Sequence, residues 1–213
     1  MKKQIINNPD FSKINYPLVD VVLKNLRSHG IDVVNQTFQG SLISNIILES
    51  SLIENCAFMN SSLEKVDLKE TVVSATSFFS CLMTDLQAES SHFEGVSFYK
   101  TDLRGSNFKG ASFEGCLFEG TDLSCVDFSG ADLSLCNFYG CHSVVGAIFD
   151  HETQLPFSTK EAKSLGMVLK ENKRLTLAVS FDDAKKDLMH PQAPNTGAVV
   201  LDFSSYRKKQ NKK

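Results

Sequence analysis

The chain has 213 residues, of which 42% are hydrophobic and 22% are charged, and its formal net charge at pH 7 is −3. This composition excludes a low-complexity chain and favours one main folded domain. No apolar run approaches about 18 residues, so no membrane span is predicted.

Charge is distributed unevenly along the chain. Residues 1–35 carry a net charge of +2, residues 36–150 a net charge of −10, and residues 151–213 a net charge of +5. An acidic surface favours basic partners and repels the phosphate backbone. We therefore expect the middle of the chain to attract a basic protein and not to bind DNA directly.

Residues 1–35 are predicted to form an N-terminal segment with a capping helix. The stretch after Met1 contains polar residues where a signal peptide would need an apolar core, so we expect a cytoplasmic protein, although secretion into a host cell stays open. The region from Pro17 to Gly30 has the pattern of an amphipathic helix that ends at the glycine. Its apolar side would hold Leu18, Val19, Val22, Leu23 and Leu26.

A five-residue repeat occupies residues 36–150. Every fifth residue from Phe38 to Phe138 is apolar, and the residue two positions earlier is nearly always small or β-branched. Side chains alternate along an extended strand, so both positions face one interior and the residue between them faces water. This strict register predicts a solenoid with twenty residues and four short strands per coil. Its six stacked aromatic residues would be Phe38, Phe58, Phe78, Phe98, Phe118 and Phe138.

The turns between these strands often end in glycine, which supplies the positive φ of a tight turn at no steric cost. The first coil differs from the later ones, because Leu42, Ile47 and Leu52 stand at outward positions. An open coil end exposes unpaired backbone groups. We therefore predict that the N-terminal helix covers these three residues and closes the solenoid.

The segments 121–125 (TDLSC) and 131–135 (ADLSL) resemble the consensus of the pentapeptide-repeat family. The resemblance covers residues 36–150 and implies an all-β solenoid, a right-handed quadrilateral β-helix. Together with the flanking sequence, it predicts small α-helical caps at both ends.

Residues 151–189 are predicted to form a C-terminal cap. Ser158 and Glu161 have the spacing of a capping box that begins a short helix, which would stop at Gly166. The stretch 155–169 is similar to the segment that closes many family members, and in some of them it mediates dimerisation, which implies a homodimer through this cap. Residues 180–189 are predicted to add a helix, and residues 190–213 a flexible basic tail.

No chemistry of catalysis or metal binding is predicted. Five cysteines occupy the inward small position and are interpreted as buried structural thiols: Cys56, Cys81, Cys116, Cys136 and Cys141. No C-x-x-C pair or cluster of cysteine and histidine occurs, and no phosphate loop or nucleophile motif is found. We therefore expect a protein without cofactor, metal or enzymatic activity.

The outward positions carry the candidate site. A period of twenty aligns Glu54, Glu94 and Glu114, with Asp132 nearby, on a face without lysine or arginine. The adjacent face aligns four apolar or aromatic residues, interrupted by Glu119: Met59, Phe79, Tyr99 and Tyr139. An apolar strip beside an acidic strip favours a protein partner, or else a terminal segment that covers it. A third face alternates acid and base and predicts ion pairs between coils: Glu49, Lys69, Glu89 and Lys109.

Three functions compete on this basis. The first is a non-catalytic scaffold that presents its faces to a protein partner of unknown identity. The second follows from the resemblance, because some family members linked to quinolone resistance mimic duplex DNA and bind type II topoisomerases such as gyrase. The third is an effector delivered into a host cell, with the basic tail as a localisation element.

Overall fold

The computed structural model describes residues 4–6 and 9–171, all within one compact unit of the chain, Met1–Asn172. The predicted helix at 180–189 and the basic tail lie outside the described residues. Among these residues, no helix has the length and apolar character to cross a membrane. The strands, in chain order, are β1 (Gln4–Ile6), β2 (Leu18–Val19), β3 (Val21–Lys24), β4 (Asp32–Val34), β5 (Thr37–Gln39), β6 (Leu42–Ile47), β7 (Leu52–Glu54), β8 (Ala57–Met59), β9 (Ser62–Asp67), β10 (Val72–Ser74), β11 (Ser77–Phe79), β12 (His92–Glu94), β13 (Ser97–Tyr99), β14 (Ser112–Leu117), β15 (Asp132–Asn137), β16 (Ile148–Phe149) and β17 (Val168–Leu169).

The described strands pair in parallel, with successive coils offset by twenty residues along most of the chain. Phe38 of β5 lies opposite Phe58 of β8, and Ile43 of β6 lies opposite Leu63 of β9. The strands form a four-stranded sheet in the order β1-β3-β6-β9 and an 11-stranded sheet that runs β2-β5-β8-β11-β13-β14-β12-β10-β7-β4, with β15 on β14. The pair β16-β17 completes the ladder. The predicted parallel β-solenoid is thus confirmed.

The predicted stack of six phenylalanines is present in the interior. Successive ring centroids from Phe38 to Phe138 are 4.7, 4.9, 5.3, 5.3 and 5.0 Å apart. A neighbouring stack places Phe93 on Phe113 at 4.8 Å. The core is closely packed. A cavity among the N-terminal coils measures about 30 Å³, which is room for about one water molecule.

Residues in the left-handed conformation bend the chain at most corners of the described coils. The glycines that the sequence singled out adopt positive φ, from +59° at Gly95 to +70° at Gly105. The same conformation occurs at corners without glycine, for example at Asn45 (φ +52°) and Lys65 (φ +53°). Asparagine tolerates this region better than most residues. The coil geometry therefore sets the corner, and glycine only lowers its cost.

The predicted helix from Pro17 to Gly30 is wrong, because this region forms strands β2 and β3 of an additional coil. Leu18 lies opposite Phe38, and Val22 lies opposite Leu42. A short apolar run can satisfy a helical period and a five-residue period at once. The coils therefore begin before residue 36, and the outward residues of the next coil lie beside strand neighbours instead of beneath a helix: Leu42 beside Val22, Ile47 beside Arg27 and Leu52 beside Asp32.

A 3-10 helix at Phe11–Lys13 closes the N-terminal end. The ring of Phe11 meets Phe38 edge-on, with centroids 6.3 Å apart. The side-chain amide of Gln36 donates hydrogen bonds to the carbonyl oxygens of Phe11 (3.4 Å), Ile14 (3.0 Å) and Val34 (3.1 Å). These bonds tie the cap to the first coil. The N-terminal end is therefore closed by a shorter helix that begins six residues before the predicted one.

The five-residue frame shifts by one residue near the C-terminal end. Asp122 lies opposite Ser143, and Asp127 lies opposite Ile148. The inward positions therefore pass to Val144 and Phe149, both of which are buried. The inward positions that the sequence analysis identified end at Phe138, and an extra residue in the following turn moves the next ones by one position.

The C-terminal cap contains the predicted short helix, α1 (Thr159–Ser164). Its N-cap residue Ser158 accepts a hydrogen bond from the backbone N–H of Glu161 at 3.2 Å. After Gly166, at φ +90°, strand β17 returns to pair with β16. Phe157 meets Phe138 edge-on at 5.5 Å, so an edge-on phenylalanine closes the ring stack at each end.

Candidate functional site

An aromatic column runs along the outside of the face built from strands β2, β5, β8, β11 and β13, here called the aromatic face. Met59, Phe79 and Tyr99 stand at equivalent positions of successive strands. The rings of Phe79 and Tyr99 stack with centroids 5.2 Å apart and an interplanar angle of 19°. The side chain of Phe79 remains 42% exposed. The predicted apolar strip is therefore continuous over these three coils.

The column ends at Tyr99. The ammonium group of Lys100 lies 5.1 Å from the centre of the Tyr99 ring, and Glu119 occupies the position of the next coil, where its carbonyl oxygen accepts from the Lys100 N–H. Tyr139 is 86% exposed and lies beyond Glu119. The structure therefore separates Tyr139 from the stacked pair.

The acidic residues form a second column on the face built from β4, β7, β10 and β12, here called the acidic face. Glu54 and Glu94 both lie opposite Ser74, and Glu114 lies opposite Glu94. All three glutamates are exposed. Asp132 does not join this column, because it lies opposite Ser112.

A bulge directly after Asp132 ends the acidic column. Between β14 and β15 the register shifts, so Glu114 lies opposite Leu135. One carboxylate oxygen of Asp132 accepts hydrogen bonds from the N–H (3.0 Å) and the hydroxyl (2.7 Å) of Ser134. Asp132 thus stabilises a local turn close to the column of Glu54, Glu94 and Glu114.

The two faces meet at one corner. Strand β14 pairs with β12 of the acidic face through Ser112–Glu114 and with β13 of the aromatic face through Leu117. Small outward side chains, Ala57, Ser77 and Ser97, lie between the corner and the aromatic column. The strip between the two columns is therefore low, and the aromatic column rises beside it as a ridge.

The outward strand residues of the aromatic face are uncharged from the Leu18 coil to the Phe98 coil: Pro17, Val19, Thr37, Gln39, Ala57, Met59, Ser77, Phe79, Ser97 and Tyr99. Charge begins at the end of this run, with the Lys100 ammonium group beside the Tyr99 ring and with Glu119 in the next coil. Depletion of charge with enrichment in aromatic residues and methionine is the composition of an interface core.

Several carboxylates on the remaining faces are paired with lysine or arginine. Lys69 binds Glu89 with N–O 3.4 Å, and Lys109 binds Asp127 at 3.3 Å. Arg104 donates to Asp102 and holds the pKa of that carboxyl below its ordinary value. The predicted acid–base ladder is thus present at Lys69–Glu89, whereas Lys109 pairs with Asp127.

The acidic column has no such partners within residues 4–6 and 9–171, where no ion pair to Glu54, Glu94 or Glu114 is formed. Its carboxylates lie one coil apart (Glu94 and Glu114) or two coils apart (Glu54 and Glu94). Mutual repulsion therefore favours any partner that brings positive charge to this face.

The cysteines predicted to face inward do so. Cys56, Cys81 and Cys116 are buried, and Cys136 and Cys141 are half-buried. Burial raises the pKa of the Cys81 thiol and of the Cys116 thiol to about 11. These groups stay protonated at neutral pH, as expected of packing residues.

The histidines and acids of the described residues do not assemble into a site for a metal ion, since no group of three potential ligands converges there. The ring Nδ1 of His92 lies 2.7 Å from the hydroxyl of Ser112 in the next coil. His142 is exposed. The His92–Ser112 bond joins neighbouring coils.

Two exposed leucines escaped the sequence reasoning. Leu117 is 46% exposed at an outward position of the aromatic face, and Leu135 is 65% exposed at the β14–β15 bulge. The signal was present for Leu117, because an apolar residue at the outward position breaks the repeat pattern. For Leu135 the bulge had no sequence signal beyond a leucine at a corner position that elsewhere holds a left-handed residue.

These coils, corners and caps define a four-sided parallel β-helix of five-residue repeats, a solenoid class of protein. Residues 81–120 and 101–140 match the family model described as pentapeptide repeats, with 8 copies. The predicted resemblance to the pentapeptide-repeat family is thereby confirmed over these residues. No curated protein matches the chain in sequence.

Solved structures of pentapeptide-repeat proteins resemble the chain in fold. A trypsin-treated variant of QnrB1, a plasmid-mediated fluoroquinolone resistance protein, is 16% identical over 79% of this chain and 88% of its own, with a TM-score of 0.39. HetL, involved in heterocyst differentiation regulation in the cyanobacterium Nostoc, is 18% identical over 72% and 78%, with a TM-score of 0.27. Rfr23 from the cyanobacterium Cyanothece is 16% identical over 65% and 90%, with a TM-score of 0.24.

Proposed function

We propose that the protein is a non-catalytic scaffold that binds a protein partner through the corner between its aromatic and acidic faces. The observation that carries this proposal is the uncharged aromatic ridge of Met59, Phe79 and Tyr99 beside the unneutralised column of Glu54, Glu94 and Glu114. Neither column is needed to build the coil, whose interior is already filled.

The test is affinity capture from the native organism with the full chain as bait. The changes Tyr99→Ser and Glu94→Gln remove one group from each column without touching the core. Matched controls are Leu82→Ser, an apolar residue 44% exposed on another face, and Glu64→Gln, an exposed acid there. A partner lost with the first pair and kept with the second supports the proposal, whereas equal capture by all four variants refutes it.

A second candidate is mimicry of DNA toward a type II topoisomerase such as gyrase. Residues 36–150 carry a net charge of −10 over roughly 27 Å at the usual strand spacing of about 4.8 Å. This gives about one negative charge per 2.7 Å, against about one per 1.7 Å in duplex DNA. Inhibition of supercoiling that weakens steeply with salt would support this role. Unchanged supercoiling at high protein excess would refute it.

The remaining predictions concern assembly and location. A homodimer through the C-terminal cap would cover Val145, Leu165 and Val168, which are 60%, 46% and 51% exposed. Val145 and Leu165 line a cleft of about 230 Å³. Sedimentation equilibrium of the Leu165→Lys variant tests this assembly, because a charge in the contact would leave a monomer. The cytoplasmic location and the role as a delivered effector stay predictions, which a fluorescent fusion with and without residues 207–213 tests.

A further inference from the structure

The backbone N–H groups in the middle of the aromatic face are already paired with neighbouring coils. The N–H groups of Ala57, Ser77 and Ser97 donate to carbonyl oxygens of the preceding coil at 2.9, 2.9 and 3.0 Å. All these bonds run from coil to coil, along the axis of the solenoid. A strand laid on this face would therefore keep its own polar groups unpaired against an apolar ridge, which is costly.

An α-helix satisfies its own backbone, and its dimensions match the face. The rings of Phe79 and Tyr99 are 5.2 Å apart, close to the helical pitch of about 5.4 Å. Successive helical turns would therefore meet successive coils. The face is about 10 Å wide, given three-residue strands at about 3.3 Å per residue, and a helix with its side chains is about 10–12 Å across.

The charges fix which side of such a helix is basic. The outward strand residues of the aromatic face are uncharged as far as Tyr99, where the Lys100 ammonium group lies at the corner that follows the ring. The acidic column lies around the other corner, beyond the low strip at Ala57, Ser77 and Ser97. Glu94 and Glu114 are one coil apart, so basic residues at i and i+4 of the helix would reach both. Long basic side chains extend over an apolar strip while their charge stays in water.

We propose that the partner element is an amphipathic helix whose apolar stripe lies along Met59, Phe79 and Tyr99 and whose flank toward the acidic face is basic. This inference rests on the proposed function, because it names the element that fills the same surface. Charge complementarity with the unneutralised glutamates, together with the matching period, carries the argument.

The direct test uses a synthetic probe helix. A peptide of about 16 residues spans about 24 Å, the length of the aromatic face from Leu18 to the Leu117 coil at about 4.8 Å per coil. It would carry leucines at i, i+4, i+7 and i+11 and lysines on one flank. One control peptide replaces the lysines by glutamate, and a second has a central proline. Fluorescence anisotropy at about 0.15 M ionic strength measures the affinity.

The lysine peptide should bind at least about tenfold more tightly than either control peptide, and circular dichroism should show helix induced on binding. The pair Phe79→Ser and Tyr99→Ser should weaken it at least about tenfold, as expected for central aromatic contacts, and Glu94→Gln with Glu114→Gln should reduce its salt dependence. Leu82→Ser and Glu64→Gln should leave it unchanged. Equal binding of the proline peptide, or equal weakening by the control variants, would overturn the inference.

The failure of this inference can be told from failure of the proposed function. If a captured natural partner depends on Tyr99 and Glu94, hydrogen exchange on that partner identifies the protected element. A protected amphipathic helix supports the inference. A protected loop or strand overturns it and leaves the scaffold function standing. Thermal unfolding of each variant, monitored by circular dichroism, confirms that the comparisons use folded protein.

Discussion

Two adjacent phenylalanines on strand β11 allow a strict test of the internal stack. Phe78 is 1% exposed and lies between Phe58 at 4.9 Å and Phe98 at 5.3 Å, whereas Phe79 is 42% exposed on the opposite side of the same strand. Both changes to alanine alter one strand at neighbouring positions. We expect Phe78→Ala to destabilise the fold far more than Phe79→Ala.

The magnitude follows from burial and from the rigidity of the coil spacing. Truncating a fully buried ring exposes or loses about 100 Å² of apolar contact, or about 2.5 kcal/mol at about 25 cal/mol per Å². A cavity term raises the loss for Phe78 to about 4 kcal/mol, because hydrogen bonds hold the flanking coils apart. Phe79 buries little more than half of its surface and borders solvent, so its loss is about 1.5 kcal/mol.

Equilibrium unfolding in guanidinium chloride, followed by far-ultraviolet circular dichroism, measures the difference. With a slope of about 4 kcal/mol per molar, the two midpoints should differ by about 0.6 M. Coincident transitions by tyrosine fluorescence check that unfolding is cooperative, since the chain has no tryptophan. Equal midpoints, or a larger shift for Phe79→Ala, would refute the assignment of the stack as the main stabilising element.

Three further predictions concern the corners, the thiols and the response to acid. Gly105→Ala would place a Cβ 2.6 Å from a carboxylate oxygen of Asp85, whereas the Cβ of Gly95→Ala would meet no atom within 4 Å. We expect Gly95→Ala to lose about 1 kcal/mol of stability through left-handed backbone strain. The melting temperature of Gly105→Ala should be lower than that of Gly95→Ala. Cys125 is exposed, whereas Cys81 and Cys116 are buried with a thiol pKa of about 11. Ellman's reagent should therefore label Cys125 rapidly in the native protein, and Cys125→Ser should remove the rapid phase. Equally fast labelling of Cys81 or Cys116 would contradict this prediction. Burial raises the pKa of Asp150, but hydrogen bonds from Gly130, Thr153 and Glu152 outweigh it and leave the pKa below the ordinary 3.8. A pKa that is lower in the folded state stabilises the fold at any pH above the unfolded-state pKa, and this stability is lost as the pH falls through the folded-state pKa. At pH values below 3.8 the free energy of unfolding should therefore decrease, and the decrease should be less steep in Asp150→Asn.

Most of the fold could be predicted because one period of five governs it. The inward position recurs without exception from Phe38 to Phe138, and the measured ring spacing reproduces that order. The additional N-terminal coil, which contains β2 and β3, was missed although Leu18, Leu23 and Val33 keep the same five-residue frame. Ser28 and Gln36 interrupt it, and the apolar residues from 18 to 26 also fit a helix. Local periodicity could not decide between a helix and a further coil. The pairing of Leu18 with Phe38 in the structure shows that it is a coil.

The candidate site was predictable only as far as the register held. Glu54, Glu94 and Glu114 align because β7, β12 and β14 keep exact multiples of twenty, and Phe79 stacks on Tyr99 for the same reason. The column ends at Glu114, because a bulge where β15 meets β14 places Leu135 opposite Glu114 where the repeat would place Ser134. Such a shift arises from tertiary pairing, so alignment by sequence number could not reveal it.

The contrast between the inner and outer aromatic residues bears on function. Folding requires the inner stack, because each coil must bury its apolar side against its neighbours. Folding places no such demand on outward positions, where the same coils hold serine, threonine or aspartate at other faces. An outward ridge of Met59, Phe79 and Tyr99 that follows the inner period therefore exposes apolar surface at a cost in solubility. A bound helix that covers the ridge and neutralises Glu94 and Glu114 would remove both the exposed apolar surface and the repulsion, which is why we place the partner at this corner and at no other face.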